Sequence, residues 1–310
     1  VDYSADVPIG AGILRQLADV YRKVRNTSRY LLGNLHDFNP ASDAIAVADL
    51  PLLDRWMLQR TAEVMDEITE AFESYEFFRF FQLLQNFCVT DLSNFYLDIA
   101  KDRLYVSAPA DQRRRSCQTV MALIIERLAG FIAPVLCHMA EDIWQNLPYP
   151  VQETSVFQRG WPTIPSDWRN DTLSAPVQQL RDLRAAVNKV LEDCRGRQEL
   201  GASLEAAVRI DARSPELQAA LSWLNDNGDP DVDGLRDWLL VSQLQLGGEP
   251  WAEVLASHED DLALIEVSRA RGTKCERCWH YEGDVGQHPD HPHICGRCVG
   301  VLERRTHQLA

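Results

Sequence analysis

At 310 residues and 45% hydrophobic content, the chain can bury a sizeable core, and at roughly 150 residues per domain it divides into two or three units. Its longest apolar runs, such as residues 120–125, fall far short of the roughly 20 residues that cross a bilayer, and no charged-then-apolar leader opens it, so the expectation is a globular cytoplasmic protein with no membrane partner. The net charge of −15 excludes a surface coated in positive charge; any nucleic acid must meet local basic patches inside an acidic whole.

Residues 10–35 carry Ile13, Leu17, Val20, Val24, Leu31 and Leu35 at three- and four-residue steps or their sums, the stripe of an amphipathic helix. At about 100° per residue, Arg15, Arg22 and Arg29 lie almost opposite that stripe with Arg25 beside them, forming a solvent-facing basic ridge. A break at residues 39–49 precedes a second helix over 51–74, whose Leu53, Met57, Val64, Ile68 and Phe72 share a face. A third helix, 77–101, holds too many aromatics (Phe77, Phe78, Phe80, Phe81, Phe87, Phe95, Tyr96) for one stripe, which predicts a central helix buried on most sides. After a loop at 107–111, a fourth helix starts near Gln112, and Pro134 either kinks it or begins a fifth that ends near Asn146. Residues 1–147 thus read as an antiparallel helical bundle.

Residues 148–176, with Pro148, Pro150, Pro162, Pro165, Trp161 and Trp168, read as a linker packed along the bundle. Helical periodicity returns over 177–194, followed by strand-like runs at 206–210, 238–246 and 262–268, a helix at 215–225 and an acidic loop at 225–234. These compose a small α+β unit, 177–268. The fold class is mainly α.

Eight cysteines in a chain this long do not make a disulfide scaffold. Cys88, Cys117, Cys137 and Cys194 stand alone in helix-like sequence and read as small packing residues. Cys275, Cys278, Cys295 and Cys298 differ: they form two Cys-x-x-Cys pairs separated by sixteen residues, a zinc-ribbon spacing. Two intervening residues let a tight turn aim both thiolates at one ion, and a hairpin brings the second pair in to complete a tetrahedron. Four sulfurs leave no open coordination position, so the expected role is one structural Zn²⁺, not a catalytic one.

Arg277 and Arg297 occupy corresponding places in the two knuckles, where positive charge favours thiolate. His280, His288, His291 and His293 compete as ligands, but four cysteines already satisfy the ion, so these read as surface residues of the loop. Residues 269–310 form the metal module, with seven Lys or Arg against five Asp or Glu; this slightly basic end is a plausible place to meet phosphate.

Catalytic signals are missing. No Gly-rich phosphate loop and no Ser/His/Asp arrangement occurs, and Glu141 and Asp142, adjacent on a helix, point in different directions and read as structural or surface groups. Arg113, Arg114 and Arg115 open a helix, where positive charge opposes the dipole; ligand phosphate and inter-helix carboxylates compete as their partners.

Several segments resemble the bacterial-type isoleucyl-tRNA synthetase family, from just after its catalytic domain to its C-terminus. They are Asp2-Tyr3-Ser4 with Val7 to Gly10, Tyr21 to Thr27, Leu31 to Leu35, Leu53-Asp54-Arg55-Trp56, Asp91 to Tyr96, Lys101 to Tyr105, Ala140 to Trp144 and Lys274 to Trp279. The match is densest in the bundle and the cysteine module and thin between Asp211 and Leu262. The resemblance implies the α-helical anticodon-binding domain of class I synthetases, a C-terminal junction region, and a zinc finger of a type also seen in DNA glycosylases that act on oxidised bases. The family activates isoleucine with ATP and attaches it to tRNA(Ile); its full-length enzyme is expected to be monomeric. Neither catalytic signature, His-Ile-Gly-His or Lys-Met-Ser-Lys-Ser, occurs, and no editing domain is present, so the chain reads as an inactive fragment with no catalytic residues, partnered in the whole polypeptide by catalytic and editing domains.

On this reading the basic ridge meets tRNA, because a guanidinium pairs with phosphate and also stacks on unpaired bases. The expected contacts are Arg22, Arg25 and Arg29, flanked by Arg15 and Lys23, with Arg277 and Arg297 on the metal module. A solvated helix face is the competing reading for each arginine. Competing for the whole chain are a structural zinc or RNA-binding adaptor and, from the finger type alone, a DNA-repair glycosylase. The glycosylase requires an N-terminal catalytic proline or equivalent and a β-sandwich, whereas this chain begins at Val1 and is helical through its first half.

Overall fold

The computed structural model describes residues 6 and 9–309, with side chains to Arg304; Asp2-Tyr3-Ser4, Val7 and the Arg305 side chain lie outside them. Among the described residues no helix is long and apolar enough to cross a membrane. The chain forms two compact units, one of residues up to 100 with 114–170, the other of 101–113 with 171 onward.

The first unit is helical: α1 (Ala11–Asn34), α2 (Leu52–Glu73), α3 (Phe77–Asn86), a π-helical stretch (Phe87–Tyr96), the start of α4 (Leu97–Val106), most of α5 (Gln112–Ile132) and α6 (Cys137–Gln145). Pro51 precedes α2 and Asp54 sits in its first turn, where a carboxylate suits the helix dipole. Leu53, Met57, Val64 and Ile68 of α2 are buried, as their spacing requires, and Phe72 is half-buried; Leu52, Trp56, Leu58 and Ala62 are buried on its other sides. The Asp54 carboxylate accepts a buried 2.6 Å hydrogen bond from Tyr96 Oη.

The central helix is α5, in which almost every residue from Ser116 to Ile132 is buried. The aromatic-rich third helix does not take that place along its whole length: Phe80, Phe87, Phe95 and Tyr96 are buried, while Phe77 and Phe78 at its start are exposed. Its π-helical winding changes the carbonyl pattern, and the Cys88 carbonyl accepts from Ser93 Oγ at 2.7 Å and Thr27 Oγ1 at 3.3 Å.

The apolar stripe of α1 also divides. Val24, Leu31 and Leu35 are buried, but Ile13 and Leu17 are 38% and 40% exposed, because no described residue of the first unit covers the helix before Val20. Residues 148–170 follow the bundle in short turns; Trp161 packs on Phe72 and Phe131, and Pro162 lies over Gly130, where a Cβ would meet its Cγ at 2.3 Å.

The second unit is built on α7 (Ser174–Gly196) and a four-stranded sheet of order β2-β1-β4-β3: β1 (Ala206–Ala212), β2 (Gln243–Leu246), β3 (Ala256–Glu259) and β4 (Ala263–Arg269). β1 and β2 are parallel, joined through α8 (Pro215–Asn227) and α9 (Leu235–Leu239), while β4 runs antiparallel to β1 and β3. Val208, Ile210, Ile265 and Val267 are buried, and α7 and α8 pack on the sheet. The opposite face carries Ala207, Arg209, Gln243, Gln245, Glu266 and Ser268, in register across the strands.

One predicted strand is shortened and one strand arises where none was expected. Residues 238–246 do not form one strand: Trp238 and Leu239 finish α9, Leu240 takes a left-handed conformation (φ +55°), and only Gln243–Leu246 is extended. The strand β3 carries no alternating apolar signal, since residues 256–259 read Ala-Ser-His-Glu, and its place is fixed by pairing with β4. Cys88, Cys117 and Cys194 are buried as expected, but Cys137 is exposed at the start of α6.

Candidate metal centre and nucleic-acid interface

The metal module is two turns that present cysteine pairs to one another. In the first, β5 (Thr273–Lys274) and β6 (Tyr281–Glu282) make an antiparallel ribbon, entered through Gly272. Gly272 has φ +98°, and a Cβ there would meet Glu282 O at 2.5 Å. The turn between the strands is closed by Cys275 N–H donating to His280 O (2.8 Å) and Trp279 N–H to Cys275 O (2.9 Å).

In the second, Cys295 immediately precedes α10 (Gly296–Leu309) and Cys298 lies in its first turn, where the helix dipole favours thiolate. Asp284 accepts from Gly296 N–H at 2.8 Å and fixes that entry.

All four sulfurs lie within 4.8 Å of one another and are buried. The Cys275–Cys298 and Cys278–Cys295 Sγ separations are 3.8 and 3.7 Å. A tetrahedron with Zn–S bonds of about 2.3 Å has edges of about 3.8 Å, so the shell fits one structural zinc, and these separations are far too long for disulfides of about 2.05 Å. Proton sharing within the group agrees: contacts with Cys278 and then Cys298 hold the Cys295 thiol below its ordinary range, while contacts with Cys278 and Cys295 push Cys298 up. Four adjacent thiols do not all ionise by themselves; a divalent cation would allow it.

Outer contacts brace the group. Cys295 N–H points at Cys275 Sγ (3.4 Å) and Arg277 Nη1 at Cys298 Sγ (3.8 Å). Val106 joins the buried cysteine cluster. Arg297 makes a bidentate ion pair with Asp102, at 2.7 and 2.8 Å, and Arg113 reaches the same carboxylate at 3.1 Å. Burial opposes charge on Asp102, but the hydrogen bonds and charge of Arg297, with Arg113 and His280 adding, hold its carboxyl below the usual range. His280 is buried, contrary to the surface reading of the loop histidines; its carbonyl closes the first knuckle and packing draws the ring inward.

On α1, Arg15, Arg22, Lys23, Arg25 and Arg29 are all exposed. Arg22 pairs with Asp19 one turn earlier, whereas no carboxylate among the described residues lies within ion-pair reach of the other four. Among the described residues the ridge therefore holds four cations without a carboxylate partner, Arg15, Lys23, Arg25 and Arg29, beside the paired Arg22. Arg277 is half-buried against the cysteines, and Arg297 is committed to Asp102. Arg113, Arg114 and Arg115 take carboxylate partners: Asp102 for the first, Asp37 for the second at 2.7 and 2.9 Å, and Asp37 with Asp43 for the third. Glu141 is likewise structural, accepting from Ser155 Oγ and Val156 N–H.

One residue escaped the pattern reading. Trp279, beside the second cysteine, is 61% exposed, held at φ +67°, with Lys274 Nζ 5.6 Å from its ring centre. A tryptophan directly after a metal-knuckle cysteine was the available signal, because a closed knuckle leaves its next side chain outside the sulfur shell.

Residues 54–210 match the family described as the anticodon-binding domain of tRNA ligase, and residues 272–300 match a zinc finger described as found in FPG and IleRS. The chain is 98% identical over 309 residues to an isoleucine–tRNA ligase of Parasynechococcus marenigrum (strain WH8102), covering 100% of this chain and 32% of that protein. It is 77% identical to the isoleucine–tRNA ligases of Synechococcus sp. (strain CC9311) and Prochlorococcus marinus (strain MIT 9313), in each case over 98% of this chain and 32% of the relative. The chain thus spans about a third of the length of these curated relatives.

Proposed function

We propose, from the premise that this chain belongs to the family of anticodon-binding domains of tRNA ligases, that it is the tRNA-gripping, zinc-carrying part of an isoleucine–tRNA ligase. The whole enzyme would attach isoleucine to tRNA(Ile) with ATP, acting in the cytoplasm as a monomer. Here the helical unit holds the anticodon arm and the cysteine module contacts the same RNA. The observation that carries this reading is the occurrence, in one chain, of an anticodon-binding domain and a four-cysteine finger of the family's own type. The chemistry agrees with it. Arg15, Lys23, Arg25 and Arg29 are free cations for phosphate, with Arg22 beside them, and Trp279 is an exposed ring on which an unpaired base can stack.

The residues assigned to zinc are Cys275, Cys278, Cys295 and Cys298, and the ion's work is to hold the two knuckles together. Arg277 and Arg297 extend the RNA-facing side, Arg297 by orienting the second knuckle through Asp102. A four-module division, 1–147, 148–176, 177–268 and 269–310, accompanies this assignment; limited proteolysis cutting first near 148–176 and 269 would support it, and cuts inside α5 would oppose it.

The test is a binding titration of the zinc-loaded chain with tRNA(Ile) and with an unrelated tRNA across salt. Tighter binding of tRNA(Ile), with a slope that falls by about one per arginine removed in Arg25→Gln and Arg29→Gln, is expected. Equal affinity for both tRNAs would sink the cognate assignment, and no RNA binding by the folded chain would favour a structural zinc adaptor.

A further inference from the structure

A cavity of about 730 Å³ in the second unit lies over the polar face of its sheet, with none of the four cysteines in its lining. Its floor is low, because β1 and β4 present the small side chains of Ala207 and Ser268 there. Trp251 and the segment after it, with the exposed Glu253, form one wall, and Arg269 and Arg271 stand on the lining as its two cations. We infer that this cavity receives one unpaired nucleotide of the bound RNA, an inference that rests on the RNA-binding reading above.

The wall is built for a fixed shape. Arg209, at 3% side-chain exposure, pairs with Glu266 at 2.9 Å and donates to the carbonyls of Gly247 (3.2 Å) and Gly248 (2.6 Å). Glu266 in turn accepts from Trp251 N–H at 3.3 Å, and Trp251 Nε1 donates to Gln245 Oε1 at 2.9 Å. A buried ion pair is a poor source of net stability, since desolvation cancels most of its attraction, but it orients what it bonds. What it orients here is the segment that carries the indole. Gly247 and Gly248, at φ +64° and +79°, make the sharp turn this requires.

The chemistry selects the ligand class. An aromatic wall takes a base by stacking. Arg269 and Arg271 are exposed, and no carboxylate among the described residues pairs with either, which leaves two cations for phosphate. The Gln243 amide is engaged with the Arg271 backbone in both directions, at 2.8 and 3.0 Å, so it steadies the cation and offers nothing to a base edge. Gln245 is engaged with Trp251 and Gly247. Recognition is therefore by stacking and charge, tolerant of base identity. The volume falls in the range of about 300–1,000 Å³ typical of small-ligand sites, large enough for a nucleoside and its phosphate.

The experiment uses the whole zinc-loaded chain and a stem-loop RNA of the tRNA(Ile) anticodon arm, with 2-aminopurine at successive unpaired positions. One position should be quenched on binding. Trp251→Leu should abolish that quenching and weaken binding about tenfold, and Trp251→Phe should restore both. Arg269→Gln with Arg271→Gln, which touches no packing, should weaken binding and reduce the salt slope by about two. Unchanged emission and affinity in both the leucine and double-glutamine variants, with zinc content and helicity retained, would overturn the assignment. If Arg25→Gln and Arg29→Gln still weaken binding in that case, the RNA reading survives alone; if the wild-type chain binds no stem-loop, both fall. Displacement of the loop signal by free nucleoside monophosphate at equal concentration would also overturn it, assigning the cavity to a free nucleotide.

Discussion

Replacing Asp102 by Asn removes the charge that holds the second knuckle without changing the shape of the side chain. Asp102 and Arg297 are 14% and 29% exposed and share two charge-assisted hydrogen bonds, at 2.7 and 2.8 Å, with Arg113 adding a third contact at 3.1 Å. Each charge-assisted bond contributes about 1.5–3 kcal/mol; partial exposure lets water screen part of that, leaving about 2–4 kcal/mol for the pair. For a unit of this size the loss lowers the melting temperature by roughly 4–16 °C. The measurement is calorimetric melting of the zinc-loaded chain together with the rate at which a chelator extracts the metal, because a loosened Arg297 frees the turn that carries Cys295 and Cys298. Arg297→Met closes a double-mutant cycle. If the two single losses simply add, to within about 0.5 kcal/mol, the two residues are not coupled and the bracing role is refuted.

Cys278→Ser should lower bound zinc from one per chain and melt α10, while the helical signal of the bundle persists; loss of the bundle's far-ultraviolet signal would contradict the independence of the two units. Asp37 gives the chain an acid-sensitive contact. Burial works against its charge, but hydrogen bonds from Arg114 and Gln118 and the charges of Arg114 and Arg115 bring its carboxyl down to about 2. Because the folded value lies below the unfolded one of about 3.9, this stabilisation, about 1–2 kcal/mol after screening, is complete above pH ~4 and is lost as pH falls toward 2. Asp37→Asn should flatten the acid limb of an unfolding curve, and an unaltered limb would count against it. Gly130→Ala forces a methyl to within 2.3 Å of Pro162 and should destabilise the first unit by about 1–3 kcal/mol in denaturant titration. Trp279→Leu should weaken stem-loop binding by about 1–3 kcal/mol without releasing zinc, measured side by side on one preparation.

The helices of the first unit were legible because their apolar residues recur at the helical period: of the five α2 residues that spacing selects, Leu53, Met57, Val64 and Ile68 are buried and Phe72 is half-buried, although neighbours in space also bury Leu52, Trp56, Leu58 and Ala62 on its other sides. The metal centre was legible for a related reason. A Cys-x-x-Cys turn is local chemistry, and two of them at ribbon spacing leave few other geometries, so the four sulfurs meet where the pattern required. Periodicity also placed the α1 cations on an exposed face.

Tertiary structure decided what depends on partners distant in sequence. Nothing local says that Arg113, Arg114 and Arg115 find Asp102, Asp37 and Asp43 and so are unavailable to phosphate; those carboxylates come from elsewhere in the fold. The strand at residues 256–259 exists because β4 offers it an edge, and the turn at Leu240 divides a run whose composition suggested one strand. The cavity beside Trp251 arises from Arg209, Glu266 and Gln245, three residues that adjoin only through strand register. Sequence determines periodicity and local ligand turns because both are set by neighbours along the chain; the pairing of charges and the shape of a cavity are set by neighbours in space.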